Sequence, residues 1–245
     1  MTLKDFFEQN PQAALAFSGG TDSAYLLYEA HRLGADVRPY FVKTVFQPQF
    51  ELDDALRFCE RLGAELKILS CNILDLRNVA SNPLMRCYHC KTAMFSLIWE
   101  QARADGYTVL LDGTNASDNA GERPGMRVLR ELGVRSPLRE CGITKTEILS
   151  LSRAAGLPEK ASYSCLATRI PYGTKITPEL LTRIEAAENS LFDLGFSDFR
   201  VRIFNGAAKL VLKEGQMARA LEYRDELTAR LAPVFDTVLL DMRAR

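Results

Sequence analysis

Short apolar runs alternate with longer amphipathic segments along the first half of the chain. Residues 13–17 (Ala-Ala-Leu-Ala-Phe) are apolar at every position, which predicts a strand buried on both faces. Further strands are predicted at 36–42, 65–69 and 108–111, and helices at 24–33, 51–62 and 91–103. Strands that alternate with helices predict an α/β fold built on a doubly wound parallel sheet.

The pattern changes toward the end of the chain. Thr144 and Glu147 have the spacing of a capping box, and Asn205-Gly206 between two β-rich runs predicts a hairpin. The predicted elements are a loop from 123, a helix at 144–155, an irregular segment at 159–177, a helix at 177–194, strands at 199–204 and 209–212, a helix at 214–231 and a strand at 237–240. We therefore expect an α/β domain at 1–170. A small α+β C-terminal domain at 171–245 would serve substrate-phosphate binding or oligomerisation.

The composition is that of an ordinary globular protein, with 47% hydrophobic and 25% charged residues. Lys plus Arg and Asp plus Glu number 31 each, so the net charge is zero and gives no electrostatic footprint of nucleic-acid or membrane binding. There is no apolar run of transmembrane length, and residues 1–5 lack the apolar core of a signal peptide. We expect a cytoplasmic protein whose six cysteines are thiols or metal ligands rather than disulfides.

A glycine-rich loop, residues 18–23, follows the first predicted strand and opens the first predicted helix. Gly19 and Gly20 lack a Cβ, so the backbone can approach a ligand and adopt positive φ. The N–H groups at the helix start and the positive end of the helix dipole then favour a phosphate group. Asp22 could cap the helix or face a Mg²⁺ ion on the phosphates. The residues assigned to nucleotide binding here are Ser18, Gly19, Gly20, Thr21, Asp22 and Ser23.

The loop is not a Walker A motif, because no Lys follows the glycines. It resembles the pyrophosphate loop of the ATP pyrophosphatase (PP-loop) superfamily, adenine nucleotide alpha hydrolase-like enzymes that cleave ATP between the α and β phosphates. The alternative is a glycine-rich turn without a ligand. In a doubly wound sheet the ligand lies beyond the carboxyl ends of the strands, where Gly113 follows the fourth predicted strand. Gly113 is therefore assigned to the nucleotide site, and Lys43 is assigned with it.

Three cysteines form the second candidate site. Cys87 and Cys90 are a C-x-x-C pair, predicted in a loop before the helix at 91–103, and Cys165 lies in the irregular segment. A pair at this spacing can hold one metal ion or one face of a cluster, and three thiolates suit a [4Fe–4S] cluster with one open iron. A redox dithiol, a zinc site and unliganded thiols remain alternatives. Cys59 and Cys71 have apolar neighbours and are predicted to be packing residues.

Several motifs, in the same order along the chain, together resemble the LarE-type sulfur transferases. Besides residues 18–23 they are the segments 86–91 (Arg-Cys-Tyr-His-Cys-Lys), 112–115 (Asp-Gly-Thr-Asn), 123–125 (Arg-Pro-Gly), 131–138 (Glu-Leu-Gly-Val-Arg-Ser-Pro-Leu) and 165–173 (Cys-Leu-Ala-Thr-Arg-Ile-Pro-Tyr-Gly). The resemblance implies a role in nickel-pincer nucleotide cofactor biosynthesis. It implies adenylation of the carboxylates of pyridinium-3,5-biscarboxylic acid mononucleotide with ATP and Mg²⁺, followed by replacement of AMP with sulfur to give thiocarboxylates. AMP leaves readily, whereas a carboxylate oxygen does not.

The resemblance extends to the source of the sulfur. One branch of the family has a single cysteine, at the position of Cys165, that gives up its own sulfur. The other branch adds a C-x-x-C pair, so that three cysteines hold a [4Fe–4S] cluster whose open iron can carry a sulfide. Because the chain has Cys87, Cys90 and Cys165, it resembles the cluster branch. The resemblance then implies these three as metal ligands, with Cys165 and Asp22 as catalytic residues.

Basic residues flank both candidate sites. Arg200 and Arg202 are two apart on a predicted strand and point to one face, where a guanidinium pair could bind a phosphate bidentately. A solvated charged face is the alternative. Arg86, Lys91 and Arg169 lie beside the cysteines and could contact ATP phosphates or substrate carboxylates. Residues 204–206 (Phe-Asn-Gly) stand where the family usually has a His-Gly turn, which bears on the exact substrate.

Other functions are compatible with parts of this pattern. A tRNA-thiolating PP-loop enzyme with a [4Fe–4S] cluster shares the adenylation step, but the balanced charge and the lack of a recognisable RNA-binding module argue against it. An ammonia-using PP-loop ligase leaves the three cysteines without a role. A nucleotide-sensing or iron–sulfur scaffold is a non-enzymatic alternative. We expect a mononucleotide substrate, a sulfide donor and a homo-oligomer, with neither nucleic acid nor membrane as a partner.

Overall fold

The computed structural model describes residues 1–118, 124–158, 160–161 and 163–245. The chain divides into two compact units, the first formed by residues 1–73 and 85–160 and the second by 74–84 and 161–245. The boundary expected near residue 170 remains a prediction. No helix in the described part of the chain combines the length and the hydropathy that a membrane span requires.

The first unit is built on a parallel sheet of four strands in the order β3-β2-β1-β4. Its strands are β1 (Gln12–Ala16), β2 (Asp36–Lys43), β3 (Lys67–Ser70) and β4 (Leu110–Leu111). Its helices are α1 (Leu3–Gln9), α2 (Thr21–Arg32), α3 (Gln49–Leu62), α5 (Arg86–Ala104), α6 (Pro124–Glu131), α7 (Pro137–Glu140) and α8 (Lys145–Ala154). The chain adds β2 and β3 on one side of β1 and then returns to add β4 on the other side. The point between β1 and β4, where the strand order switches, is where α/β sheets bind ligands.

Helices cover both faces of this sheet. Successive residues of a strand point to opposite sides, so one strand contributes side chains to the core on each face. In β1, Leu15 packs in one core with Leu26 of α2 and Ala55 of α3. Its neighbour Ala14 packs in a second core with Phe95 of α5. The fully apolar strands are therefore explained by burial on both faces, and the predicted α/β fold with a parallel sheet is confirmed at this level.

The second unit contains a three-stranded sheet of different topology. Its strands β5 (Arg200–Phe204) and β6 (Ala207–Val211) are antiparallel, whereas β7 (Val238–Leu240) runs parallel to β6. Asn205 and Gly206 both have positive φ, 49° and 82°, as expected for the predicted two-residue hairpin. The helices of this unit are α4 (Arg77–Ala80), α9 (Pro178–Asp193), α10 (Glu214–Glu222) and α11 (Arg224–Leu231).

Two helical predictions are wrong in their extent. The C-x-x-C pair lies in the first turn of α5 rather than in a loop before it, since Arg86 and Cys90, four residues apart, share the buried side of that turn. The helix predicted at 214–231 is two helices, α10 and α11, joined at Tyr223. The Tyr223 backbone departs from helical geometry, with φ of −90° and ψ of 11°. Its ring contacts Phe196 edge to face and lies under the Arg219 guanidinium.

The predicted loop at 123–125 is also corrected in part. Arg123 lies outside the described residues, as do Glu159 and Ser162 of the predicted irregular segment. Pro124 begins α6 instead of lying in the predicted loop. Proline is well tolerated there because the first turn of a helix needs no N–H partner. Gly125 follows it, and a Cβ there would lie 2.8 Å from Cδ of Lys91.

Candidate functional site

The glycine-rich loop forms a tight turn from β1 into α2. Gly19 has a φ of +71°, and a Cβ on it would lie 3.2 Å from Cβ of Ala55. Gly20 is the N-cap residue of α2 and offers no side-chain cap to the first N–H groups of that helix. Those N–H groups and the positive end of the helix dipole are available for an anion at this point.

The two serines of the loop are tied to each other and to the turn. The hydroxyl oxygens of Ser18 and Ser23 are 3.1 Å apart, and Ser23 donates to the Gly20 carbonyl at 3.0 Å. The Gly20 N–H points to Ser18 Oγ at 3.3 Å. Both hydroxyls are thus held beside the start of α2, where they could reorient toward a phosphate.

Gly113 packs against the start of the same helix. A Cβ on Gly113 would lie 2.8 Å from the Ser23 backbone nitrogen and 3.0 Å from its Cα. Real Cβ atoms do not approach backbone this closely, so only glycine fits without a shift of the chain. The predicted Gly113 position is therefore next to the loop, and its requirement is steric: it lets the β4 end approach α2.

Asp22 is held by two side chains from the same unit. Its carboxylate accepts from Nζ of Lys145 at 2.5 Å and from Nδ2 of Asn115 at 3.2 Å. Asn115 is buried and its Oδ1 accepts from the Ser117 N–H, which fixes the amide. Lys145 is the first residue of α8 and directly follows Thr144, the N-cap of the capping box that was predicted from sequence. These two contacts fix the orientation of the Asp22 side chain within the glycine-rich loop.

Lys160 contacts both the glycine-rich loop and helix α3. Its ammonium lies 2.9 Å from Glu51, 3.0 Å from Asp54 and 3.5 Å from the Gly19 carbonyl oxygen. The hydroxyl of Thr21 donates to the Lys160 carbonyl at 3.5 Å, a long contact. Lys43, at the end of β2, donates to the Gln47 carbonyl at 2.5 Å.

Cys87 and Cys90 share the first turn of α5. The i, i+3 spacing puts them on one side of the helix, with Cys87 half-buried and Cys90 buried. The Cys90 thiol contacts the Met94 sulfur at 3.7 Å. Two thiols on one turn fit the donor set of a soft metal or cluster. Among the described residues, however, no group of three His, Cys, Asp or Glu side chains is arranged to hold a metal ion.

The basic residues beside this pair differ in their surroundings. Arg86 is buried, with its guanidinium 5.8 Å from the centre of the Phe46 ring. Lys91 is partly exposed; its aliphatic chain packs against Gly125 and its ammonium lies 5.5 Å from the Phe95 ring centre. Lys91 is therefore the more accessible of the two to a ligand.

Cys165, in the second unit, precedes a short 3₁₀ helix (Leu166–Arg169) and is half-buried. Arg169 ends that turn and is buried with Glu188 of α9, to which it donates from Nε at 2.7 Å and Nη2 at 3.2 Å. Its Nη1 donates at 2.8 Å to the hydroxyls of Ser164 and Thr168, on either side of Cys165. Arg169, which was predicted to bind a ligand, thus donates its hydrogen bonds to other residues of the protein and holds the Cys165 segment in place.

Glu188 accepts hydrogen bonds from several donors among the described residues. Besides the two from Arg169, it accepts from the Tyr163 hydroxyl and, at 2.9 Å, from the Val201 N–H of β5. Burial and the Glu188 charge raise the pKa of Tyr163 above its usual range. A buried carboxylate with this many donors is well satisfied, so the cluster joins α9, β5 and the Cys165 segment.

Arg200 and Arg202 share one face of β5 as predicted, but only Arg202 is exposed. Arg200 is buried against the Tyr163 ring and donates to the Phe199 carbonyl at 2.6 Å, and the Asp198 carboxylate is 3.9 Å away. Burial, and after it the charge of Arg169, lowers the pKa of Arg200 to about 10. Arg202 lies opposite Lys209 of β6. This face therefore carries positive charge that an anion would relieve.

Some residues beside the sites were missed by sequence reasoning. Lys145 and Lys160 contact the loop from 123 and 139 residues away in sequence, so no local spacing could reveal them. Glu188 was not assigned either, because its partners are Tyr163, Arg169 and Val201. The one available signal was the lone acidic residue on an otherwise apolar side of α9.

The chain is similar to known proteins over most of its length. No family model matches it. An uncharacterized protein of Synechocystis is 35% identical over 224 residues, which are 90% of this chain and 83% of that protein. The pyridinium-3,5-bisthiocarboxylic acid mononucleotide synthase of Lactiplantibacillus plantarum is 31% identical over 246 residues, 98% of this chain and 89% of that protein. An uncharacterized protein of Methanocaldococcus jannaschii is 27% identical over 225 residues, 92% and 86% of the two chains.

Proposed function

The chain belongs to the LarE-type family of pyridinium-3,5-bisthiocarboxylic acid mononucleotide synthases, and from this premise we propose that it is an ATP-dependent sulfur transferase. It adenylates the carboxylates of pyridinium-3,5-biscarboxylic acid mononucleotide and converts them to thiocarboxylates in nickel-pincer nucleotide cofactor biosynthesis. The observation that carries the proposal is the full-length similarity to the Lactiplantibacillus plantarum synthase. The glycine-rich loop at the switch point of the sheet supports the use of ATP.

The first step forms an acyl adenylate. A carboxylate oxygen of the substrate attacks the α-phosphorus of ATP, the bond to the β-phosphate oxygen breaks, and pyrophosphate leaves. The N–H groups at the start of α2 and the hydroxyls of Ser18 and Ser23 stabilise the charge on the departing phosphates. Asp22, fixed by Lys145 and Asn115, is the residue that would hold Mg²⁺ on the phosphates.

The second step exchanges AMP for sulfur. A sulfur nucleophile attacks the acyl carbon, the bond from that carbon to the phosphate oxygen breaks, and AMP departs with the oxygen atom. Cys165 is assigned to sulfur transfer, and the Arg169–Glu188 pair holds its segment. Arg200 and Arg202 are assigned to the substrate phosphate, because they lie two residues apart on one face of β5 and Arg202 is exposed.

The three cysteines are assigned as ligands of a [4Fe–4S] cluster, with the C-x-x-C pair supplying two thiolates from one helical turn. When bound, such a cluster carries sulfide on its open iron and spares the cysteine sulfur. Mg²⁺, a sulfide donor, a homo-oligomeric state and a cytoplasmic location belong to the same proposal, as does the assignment of residues 171–245 to substrate-phosphate binding.

Substitutions can separate the two steps. We expect Asp22→Ala to abolish pyrophosphate release, and Cys165→Ala to retain pyrophosphate release while forming no thiocarboxylate. Cys141→Ala is the matched control, because Cys141 is also half-buried and is assigned no role. Pyrophosphate release and thiocarboxylate mass are measured in parallel. Normal thiocarboxylate formation by Cys165→Ala would refute the assignment of the sulfur site.

Iron analysis tests the cluster independently of activity. Protein purified without oxygen should contain about four irons per chain with matching acid-labile sulfide. Cys87→Ala should lose them, whereas Cys141→Ala should not. No iron in the wild-type protein after anaerobic reconstitution would contradict the cluster and point to Cys165 as a sacrificial or persulfide sulfur. Mass spectrometry distinguishes these two, because a sacrificed cysteine becomes dehydroalanine, whereas a cysteine that passes on a persulfide sulfur remains a cysteine.

A further inference from the structure

Ser136 occupies a capping position but does not cap its helix. It is the N-cap residue of α7, where a serine hydroxyl normally accepts from an N–H in the first turn. Among the described residues, no N–H of α7 bonds to this hydroxyl, which donates instead to Oδ1 of Asp112 at 2.6 Å. The bond lies in the protein interior, since Ser136 is 9% and Asp112 6% exposed. The fold therefore uses the Ser136 hydroxyl for Asp112 rather than for α7.

Asp112 folds the segment after β4 into a turn. Its carboxylate accepts from the Thr114 N–H at 3.2 Å and from the Thr114 hydroxyl at 2.5 Å, in addition to the bond from Ser136. An Asp side chain that bonds to the N–H two residues further on forms an Asx turn. All three donors are neutral groups, so in the described part of the chain hydrogen bonds stabilise this buried charge. The conformation of residues 112–115 thus depends on donors to both oxygens of one carboxylate.

Strand pairing brings Ser136 to Asp112. Arg135 forms an isolated parallel bridge with Leu111 of β4, and the Asp112 N–H donates to the Arg135 carbonyl at 2.9 Å. The residue after this bridge is Ser136, whose hydroxyl reaches the carboxylate from the neighbouring chain segment. The contact is therefore set by the backbone at the edge of the sheet.

The turn ends at a residue that holds Asp22. Asn115 is 3% exposed and donates from Nδ2 to the Asp22 carboxylate at 3.2 Å. Gly113, inside the turn, lies so close to α2 that a Cβ on it would be 2.8 Å from the Ser23 nitrogen. A shift of the turn therefore moves the Asn115 amide away from Asp22 or presses on the first turn of α2. In either case it disturbs the residue that is assigned to Mg²⁺.

We infer that Ser136 is a positioning residue of the proposed reaction, which acts on Asp22 through Asp112 and Asn115. The inference rests on the proposed function, because Asp22 is the residue that would hold Mg²⁺ on the ATP phosphates. Ser136 and the Thr114 hydroxyl fix the Asp112 carboxylate, the resulting turn places Asn115, and the Asn115 amide orients Asp22. Loss of a donor to Asp112 weakens the contribution of Mg²⁺ to ATP binding. It leaves the binding of metal-free ATP nearly unchanged, because the N–H groups at the start of α2 remain.

Calorimetric titration of the full chain with ATP, in excess Mg²⁺ and again in a chelator, tests this role. Ser136→Ala should reduce the gain in affinity from Mg²⁺ about tenfold, as expected for loss of a hydrogen bond to a charged group, with little change in the chelator. Ser136→Thr keeps the hydroxyl and should restore the gain. Ser152→Ala is the matched control, because Ser152 is also buried and its hydroxyl has no partner among the described residues. An unchanged Mg²⁺ gain in folded Ser136→Ala protein would overturn the inference.

Two further variants keep the test decisive if Ser136→Ala does not fold. Thr114→Val removes the other hydroxyl on Asp112 with little change in side-chain shape, and it should reduce the Mg²⁺ gain in the same way. Because the effect passes through Asn115, Thr114→Val combined with Asn115→Ala should lose no more of the gain than Asn115→Ala alone, and additive losses would contradict the inference. A wild-type protein without any Mg²⁺ gain would refute the role of Asp22 in the proposed function, whereas a gain that survives in Thr114→Val and Ser136→Ala refutes only the role of Ser136.

Discussion

The phosphate loop and the Cys165 region are assembled in opposite ways. Residues 18–23 present consecutive backbone N–H groups at the start of α2. Around Cys165, the structure depends on side chains: Tyr163 and Arg169, which are close to Cys165 in sequence, meet Glu188 of α9 through charge and hydrogen bonds. A backbone-built site is most sensitive to added atoms, and a side-chain-built site is most sensitive to lost charge.

The largest effect is expected from Glu188→Gln. Removing the carboxylate charge leaves the buried Arg169 guanidinium without compensation, which typically costs about 3–5 kcal/mol. Urea unfolding of the full chain measures the loss of free energy. Glu226→Gln is the control, because its pair with Arg230 is exposed and such pairs contribute about 0–1 kcal/mol. Equal losses in the two variants would show that the cluster does not hold the Cys165 region together.

Gly113→Ala should follow, with a destabilisation of about 1–3 kcal/mol from overpacking against the Ser23 backbone. The variant should also lose any stabilisation by ATP, because the start of α2 must shift. Gly215→Ala, where a Cβ would meet nothing within 4 Å, is the matched control and should be neutral or slightly stabilising. Thermal unfolding with and without ATP gives both values. A stable Gly113→Ala protein that responds to ATP would break the backbone-built account.

A smaller effect is expected from Thr144→Ala, at about 1 kcal/mol for a lost N-cap. The cap supports the start of α8, from which Lys145 reaches Asp22. Hydrogen bonds from Thr144 hold the pKa of Glu147 below its usual range, so their stabilisation is present at neutral pH and is lost as the pH falls through that lowered pKa. The bond from the Thr144 hydroxyl to the Glu147 carboxylate is lost in the variant, so the stability difference between wild type and variant should shrink at low pH. The bond from the Glu147 N–H to the Thr144 hydroxyl does not depend on that charge, so part of the difference should remain. A difference that grows as the pH falls would contradict this account.

The smallest signal is expected from the thiol of Cys59. Burial raises its pKa to about 12, so it is almost entirely protonated at pH 8 and should resist alkylation until the protein unfolds. Cys165, which is half-buried, should react in the native, chelator-treated protein. Peptide mass mapping after iodoacetamide treatment, with and without guanidinium, measures both. Native alkylation of Cys59 would show that the core under the phosphate loop is open.

Locally encoded features could be predicted from the sequence, because they need only neighbouring residues. The capping box of Thr144 and Glu147 and the Asn205-Gly206 hairpin both form as predicted. The apolar run of β1 correctly indicated a strand covered on both faces. In these places the residues that determine the backbone conformation are also the residues of the sequence pattern that predicted it.

Features set by distant contacts could not be predicted. The extension of α5 through Cys87 and Cys90 depends on burial of Arg86 and Cys90, since Cys, Tyr and His have only middling helix propensities. At the break between α10 and α11, Tyr223 contacts Phe196, which precedes both helices. The residues that hold Asp22, Lys145 and Asn115, lie far from it in sequence, and Glu188 lies on a different element from Arg169. The motifs therefore indicated the candidate site, but they could not indicate the charged and polar residues that hold it in place.

The most direct test of the central claim is anaerobic turnover with ATP, Mg²⁺, a sulfide source and pyridinium-3,5-biscarboxylic acid mononucleotide. Pyrophosphate and the mass of the mononucleotide are followed together. The account predicts pyrophosphate release only when the mononucleotide is present, together with a product in which carboxylate oxygen is replaced by sulfur. Pyrophosphate release that requires tRNA or ammonia instead, with an unchanged mononucleotide, would contradict it.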